Sequence, residues 1–545
     1  MLRSFADRGR ARLGWRVVIG TLVLLAVLFA TRGGPVLTPD SLHYVGAAKA
    51  LVGQGSLRIP QAEWEATDST EALQQFPPAY SVTLALLLRA GVSDGIAVRA
   101  IDAVAAAATV MLMLWLGDLA TDAWFVRVAL PGLVIALRAV PSAWISAWSE
   151  PLFFVAVLAT LAMMVRYPRR SWTYGVAAAA GNAVRYAGVS LLLAAILWAA
   201  WAEWRARDAG RSETTRARLL RVLRAMILAA APGVLFNVLW LLRARSLEVD
   251  TPLAVVAWMG NLSDARDEAM RTITEQLVPL ALSLRGALAC VTLAAVCALI
   301  AYGLRRAQAN AADVQSTNAQ AADARPADVR PADVQILHAS LLVAACYAVM
   351  LTYARLFVGG SIPLDDRVLA PLFLPLGLAT VVSLHEWLAT RSVAIRRTGQ
   401  VLAALWIVLA MRQSVLGVRD ILADRDDYGS EYWTDTPVAD WLRSEGRAFA
   451  LYSDDPIATY FISGRPSHEI PSVVAADTSA IFGAVLQRAH GALIDYPHSF
   501  DNAADAGAIA RALGMCKVVE SEDGNVWTLP NDSARSCTQT APTSK

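Results

Sequence analysis

The chain has 545 residues, of which 56% are hydrophobic and 17% charged, with a formal net charge of +2. A soluble chain carries about 25% charged residues, and here the apolar residues gather in runs of roughly 15 to 25, enough to cross a hydrocarbon core as helix. A soluble protein is thereby excluded, and so is a β-barrel, because the runs are continuous rather than alternating. Mean hydropathy of +0.44 agrees with a polytopic α-helical membrane protein. The net charge is too small to identify a partner, and no nucleic acid is expected.

The N-terminus carries Arg3, Arg8, Arg10, Arg12 and Arg16 before an apolar run from Val17 to Ala30. No small-x-small cleavage site follows, so this run reads as a signal-anchor and first transmembrane helix. Twelve apolar segments can be marked, near residues 17–31, 77–90, 101–117, 126–141, 150–165, 173–187, 188–203, 225–244, 278–303, 336–357, 368–387 and 399–417. The basic connections are the N-terminus, Arg166 to Arg170, Arg205 to Arg224, Arg305-Arg306, and Arg391 to Arg397. The positive-inside rule places these in the cytoplasm and residues 32–76, 245–277, 359–366 and the tail outside.

Parity then fails between residue 76 and Glu150, so one of the three segments there does not span or is divided differently. The segment at 77–90 is short and opens on Pro77-Pro78, which makes it the weakest. The expectation is 11 to 13 crossings in a transmembrane domain over 1–418, with an extracytoplasmic domain over 419–545.

Residues 308–335 form a degenerate Pro-Ala-Asp-Val stretch with few large apolar side chains, and a disordered cytoplasmic loop is expected. In the tail, helical patterns (VADWLRSEG, DTSAIFGAVLQRAHG, NAADAGAIARALG) alternate with strand patterns (AFALYS, GALIDYP, KVVE, NVWTLP). That alternation predicts a small α/β domain. Cys516 and Cys537 of the tail are able to pair if it lies in an oxidising compartment.

Ionisable residues at the outer rim carry the candidate chemistry. The loop at 32–76 reads as partly helical and surface-lying, and Asp40 stands just beyond the first membrane exit with His43 and Tyr44 beside it. Asp40 is either an N-terminal residue of the following helix or a functional acid. Glu150 opens one apolar segment, Arg185-Tyr186 lies between two others, and Asp365-Asp366-Arg367 opens another. Carboxylates act as bases or bind hard cations, and arginine forks suit phosphate. Any metal would be held by Asp40 and Glu150, a divalent cation such as Mg or Mn.

Six short motifs occur in order: Asp-Ser-Leu-His-Tyr (40–44), AKALVGQG (48–55), Phe-Pro-Pro-Ala-Tyr-Ser (76–81), Ser-Glu-Pro (149–151), Val-Arg-Tyr-Ala-Gly (184–188) and Asp-Arg-Val-Leu-Ala-Pro (366–371). Together they resemble the GT-C superfamily of integral-membrane glycosyltransferases, in its bacterial branch related to protein O-mannosyltransferases and aminoarabinose transferases. The resemblance covers about residues 15–390. Ser41 stands where many members have a second acid, and Phe76 where His is frequent.

The resemblance implies transfer of a sugar from a polyprenyl-phosphate donor to a lipid, glycan or protein acceptor at the outer face of the cytoplasmic membrane. It implies Asp40 as base with Glu150 as the second catalytic acid, and His43, Tyr44, Arg185, Tyr186, Asp366 and Arg367 as substrate-binding residues. A transporter or flippase of lipid-linked sugars is the competing reading, and a non-catalytic scaffold a third. A transporter would want mid-membrane ionisable groups and repeated halves, whereas the charges read mainly as helix-end residues and no repeat is visible.

Overall fold

The computed structural model describes residues 2–206, 214–246, 262–278, 285–320, 332–358, 364–424, 428–471, 476–497 and 505–530. In chain order, α1 (Leu2–Ala30) leads to α2 (Pro39–Gln54), short strands β1 (Arg58–Ile59), β2 (Gln61–Ala62) and β3 (Glu71–Ala72), and α3 (Ala79–Arg89). Twelve helices follow: α4 (Asp94–Ala120), α5 (Trp124–Ala136), α6 (Ala139–Trp144), α7 (Glu150–Arg166), α8 (Ser171–Val184), α9 (Val189–Arg205), α10 (Thr215–Ser246), α11 (Leu262–Leu277), α12 (Arg285–Gln320), α13 (Ala332–Tyr353), α14 (Asp366–Ala389) and α15 (Val393–Asp424). The tail adds α16 (Glu431–Thr434), α17 (Pro437–Arg443), β4 (Ala450–Ser453), α18 (Pro456–Ser463), β5 (Ser467–Glu469), α19 (Ala476–Ala489), β6 (Gly491–Asp495), α20 (Ala506–Ala512), β7 (Cys516–Ser521) and β8 (Gly524–Thr528).

Two compact units result: Met1–Arg32 with Arg99–Asp420, and Gly33–Val98 with Ile421–Lys545. The linear boundary expected at 418/419 is corrected to a discontinuous one. Residues 33–98 bury their apolar side chains with the tail: Leu42 of α2 packs in one cluster with Trp433, Trp441 and Ile457.

The helical unit is a polytopic membrane bundle. Among the described residues eight helices are long and apolar enough to span, namely α1, α4, α9, α10, α12, α13, α14 and α15. The helices α3 and α5 are apolar but shorter. α1 and α4 run antiparallel: Arg16 pairs with Asp118 at one end (3.0 Å), and Arg99 donates to Thr31 Oγ1 (3.2 Å) and the Leu28 carbonyl (2.9 Å) at the other.

The segment at 77–90, expected to be the weakest span, is short. α3 is an 11-residue helix of the other unit, about 16 Å long at 1.5 Å per residue. The segment at 126–141 is interrupted at Leu137, whose backbone is extended (ψ 96°). Pro141 lies in the first turn of α6, where its missing N–H costs no helical bond.

The loop expected at 308–335 is corrected in part. α12 runs on as helix to Gln320, and residues 321–331 lie outside the described residues. Alanine and glutamine propagate a helix that is already nucleated, so lack of a core does not stop the backbone coiling.

In the second unit a six-stranded sheet has the order β2-β5-β4-β6-β8-β7. β2, β5, β4 and β6 are parallel, while β8 runs antiparallel to β6 and to β7. Alternate side chains of the strands serve two cores. Leu451, Ile494 and Val526 join α17 and α18 on one face; Tyr452, Leu493 and Trp527 join α19 and α20 on the other. The four tail strands and three tail helices read from sequence are present. β2, from the outer loop, and β5 are the strands of this sheet that local pattern did not reveal. Cys516 is disulfide-bonded; Cys537 lies outside the described residues.

Candidate functional site

Three distant segments converge on Glu150, the first residue of α7. Ser149 is the N-cap and Pro151 follows in the first turn, where proline is tolerated because its N–H would have no helical partner. The Glu150 side chain is 2% exposed, and its Oε1 lies 2.7 Å from Arg185 Nη1 and 3.2 Å from Arg367 Nε.

Arg185 reaches that position because the chain breaks between α8 and α9. Its backbone is extended (φ −145°, ψ 142°), and a 3-10 turn over Tyr186–Gly188 restarts the helix. Gly188 permits the fold-back, since a Cβ there would lie 2.3 Å from the Asn182 nitrogen. Arg185 Nη1 also donates to Ser149 Oγ (3.1 Å).

Arg367 is placed by the start of α14. Asp365 caps that helix by accepting from the Val368 N–H (2.9 Å), and Asp366 accepts from Gln276 Nε2 (2.9 Å). The Arg367 guanidinium lies 4.9 Å from the centre of the Trp148 ring, a cation–π distance. One carboxylate therefore holds two guanidiniums, and these three groups sum to one positive charge. The cluster lies where α7 and α14 begin and where the chain breaks between α8 and α9.

Four of the eight predicted residues belong to this neighbourhood: Glu150, Arg185, Arg367 and Asp366, the last bonded to Gln276 rather than to the arginines. Tyr186 lies apart and accepts a hydrogen bond from Trp240 Nε1 (3.0 Å).

One residue was missed. Asp102, nine positions into α4 counting from Asp94, is fully buried, and neither of its carboxylate oxygens has a hydrogen-bond partner among the described residues. The signal was present in the sequence, an acid inside an otherwise apolar run. The reading that charges sit mainly at helix ends overlooked it.

The other predicted residues lie on α2, in the second unit. Thr38 is the N-cap and Pro39 opens the helix. The Thr38 N–H donates to Ser41 Oγ (3.0 Å). Ser41 is thus the return partner of a capping box, and Asp40 is not the cap. An acid in the first turn still gains from the helix dipole. His43 Nε2 is 3.0 Å from Gln61 Oε1, and Gln61 Nε2 donates to Glu469 Oε1 (3.1 Å). That chain ties α2 to β2 and β5. Burial, reinforced by Glu469 and Glu63, pushes the Glu71 carboxyl up to about 7. Tyr44 packs on Phe76 and Tyr80, with ring centres 4.7 and 4.9 Å apart.

Among the described residues no three His, Cys, Asp or Glu side chains come together as metal ligands. Two guanidiniums on Glu150 repel a cation, so this carboxylate does not fit the divalent metal considered from sequence.

No family model matches the chain, and no curated protein matches it. Solved structures do. ArnT from Cupriavidus metallidurans in the apo state aligns with a TM-score of 0.53 at 14% identity, covering 95% of this chain and 98% of that one. The same protein bound to undecaprenyl phosphate aligns at 0.56 and 12% identity, covering 96% and 99%. The arabinofuranosyltransferase AftD from Mycobacteria aligns at 0.55 and 15% identity, covering 95% of this chain but 42% of AftD. At such identities the likeness is one of fold, and over nearly its whole length this chain has a GT-C-like fold.

Proposed function

We propose that this protein is a glycosyltransferase that moves a sugar from a polyprenyl-phosphate donor to an acceptor at the outer face of the cytoplasmic membrane. The observation that carries the reading is the buried Glu150 holding Arg185 (2.7 Å) and Arg367 (3.2 Å) at the ends of membrane helices. It gains support from two structures of the same fold, one with undecaprenyl phosphate bound and one named an arabinofuranosyltransferase.

In such a transfer the bond between the anomeric carbon and the phosphate oxygen breaks, and charge builds on the departing phosphate. Preorganised guanidiniums stabilise that charge without reorganising. Arg185 and Arg367 take this role. Glu150 is a positioning residue for them, because its Oε1 faces both guanidiniums. Asp40 accepts the proton of the attacking acceptor group, and a single displacement inverts the anomeric carbon. His43 and Tyr44 support substrate binding from α2, as do Tyr186 and Asp366, the sequence neighbours of Arg185 and Arg367. The N-terminus lies in the cytoplasm and the second unit outside. The disulfide at Cys516 favours that orientation, since disulfides persist in oxidising compartments.

The test is turnover of purified protein against a panel of polyprenyl-phosphate sugars. Asp40→Asn should lose at least about a hundredfold in turnover, within the range for a general base, and Arg367→Ala should weaken use of the donor. Wild-type rates in Asp40→Asn would remove it as the base. Failure of wild-type protein with every donor, together with donor movement across vesicles, would favour the transporter.

A further inference from the structure

An apolar groove of about 530 Å³ lies along α1, α5 and α15. Leu22 (57% exposed), Val128 (53%) and Val408 (61%) line it. At its α5 end the groove shares Trp124 and Val128 with a second, polar pocket lined by Arg12, Trp15, Asp118, Asp122 and Arg127. In that pocket the buried Asp118 is matched by Arg16 (3.0 Å) and Arg127 (2.7 Å). The exposed Asp122 pairs with Arg12 and lies 3.6 Å from Arg127. Three arginines face two aspartates, a surplus of one positive charge beside two tryptophans at the mouth of an apolar channel.

We propose that this pair of pockets binds an anionic glycerophospholipid of the leaflet at the N-terminal end of α1. One acyl chain lies along the α1–α5–α15 groove. The phosphodiester sits at Arg12 and Arg127, and Asp122 accepts hydrogen bonds from headgroup hydroxyls. Charge complementarity selects the occupant: a monoanionic phosphodiester balances the single surplus charge, and a zwitterionic lipid does not. Trp15 and Trp124 are the residue type that prefers the headgroup level.

The site is distinct from the proposed donor site. Thr121, one residue beyond α4, is 3.3 Å from His385. His385 is 18 positions along α14 from Arg367, about 27 Å at 1.5 Å per residue. One lipid phosphate cannot serve both ends of that helix.

The experiment titrates delipidated full-length protein with phosphatidylglycerol, phosphatidylcholine or undecaprenyl phosphate, reading bound lipid by native mass spectrometry and melting temperature in parallel. Wild-type protein should retain phosphatidylglycerol at least about tenfold more strongly than phosphatidylcholine and gain thermal stability with it. Arg12→Gln should erase the preference. Ala404→Phe should fill the exposed groove wall, lowering phosphatidylglycerol retention without lowering the melting temperature of lipid-free protein. Equal retention of the two glycerophospholipids would overturn the proposal. So would unaltered binding in a folded Ala404→Phe protein, or displacement of phosphatidylglycerol by undecaprenyl phosphate in the wild type.

Discussion

Glu150 binds both arginines through one oxygen while 2% exposed, so its removal leaves two guanidiniums in a poorly hydrated place. Breaking a buried pair from one side costs about 3 to 5 kcal/mol. Glu150→Ala should therefore lower the melting temperature sharply as well as abolish transfer. Arg367→Lys keeps the charge but loses the planar fork and the stacking on Trp148. It should fold normally and use the donor about tenfold less well, a change readable in KM.

The buried Asp454 makes a pH prediction for the second unit. Both its oxygens accept from the Tyr496 N–H, at 3.1 and 3.0 Å. Burial, partly offset by that bond and reinforced by Asp495 and Asp455, pushes its carboxyl up to about 8. The unfolded chain releases this proton near pH ~4, whereas the folded unit keeps it to about 8. The folded state binds more protons across that window, so the contribution to stability falls as pH rises through it. Melting temperatures measured from pH 5 to 8 should fall less in Asp454→Asn than in wild type. The charged residues of the membrane rim were legible as individuals. Asp454 was not singled out, because nothing local distinguishes it from a surface acid.

At the level of elements, the break between α8 and α9 decides where Arg185 points. With the Gly188 Cβ position 2.3 Å from backbone, Gly188→Ala must open the 3-10 turn. It should cost about 1 to 3 kcal/mol and remove most activity, without touching a charged group. Ser41 is the converse case. The resemblance made it a missing acid, and the structure makes it half of a capping box. Ser41→Ala should cost about 1 kcal/mol, measurable as a fall in the denaturation midpoint, with turnover kept once folded. The membrane helices were legible because an apolar run of 18 or more residues has few alternatives. α12 beyond residue 308 was misread, since composition reports the absence of a core and says little about whether an anchored helix continues.

For the whole molecule, eight of the described helices are long and apolar enough to span, and the proposed orientation, with the N-terminus in the cytoplasm and the second unit outside, predicts which segments are accessible. Single cysteines introduced at residue 90, at the end of α3, and residue 445 should both react with an impermeant maleimide in intact cells. One at residue 168 should stay protected.

Sequence alone determined the membrane class, the helical bundle, the α/β tail and the identity of Glu150, Arg185 and Arg367 as residues of interest. Those properties are written in hydropathy, period and charge, which are local quantities. Tertiary structure decided the rest. It drew residues 33–98 into one unit with the tail, because Leu42 of α2 is buried in a cluster with tail side chains. It also committed Glu150 to two arginines and buried Asp102, since which charges face each other depends on helices distant in the chain.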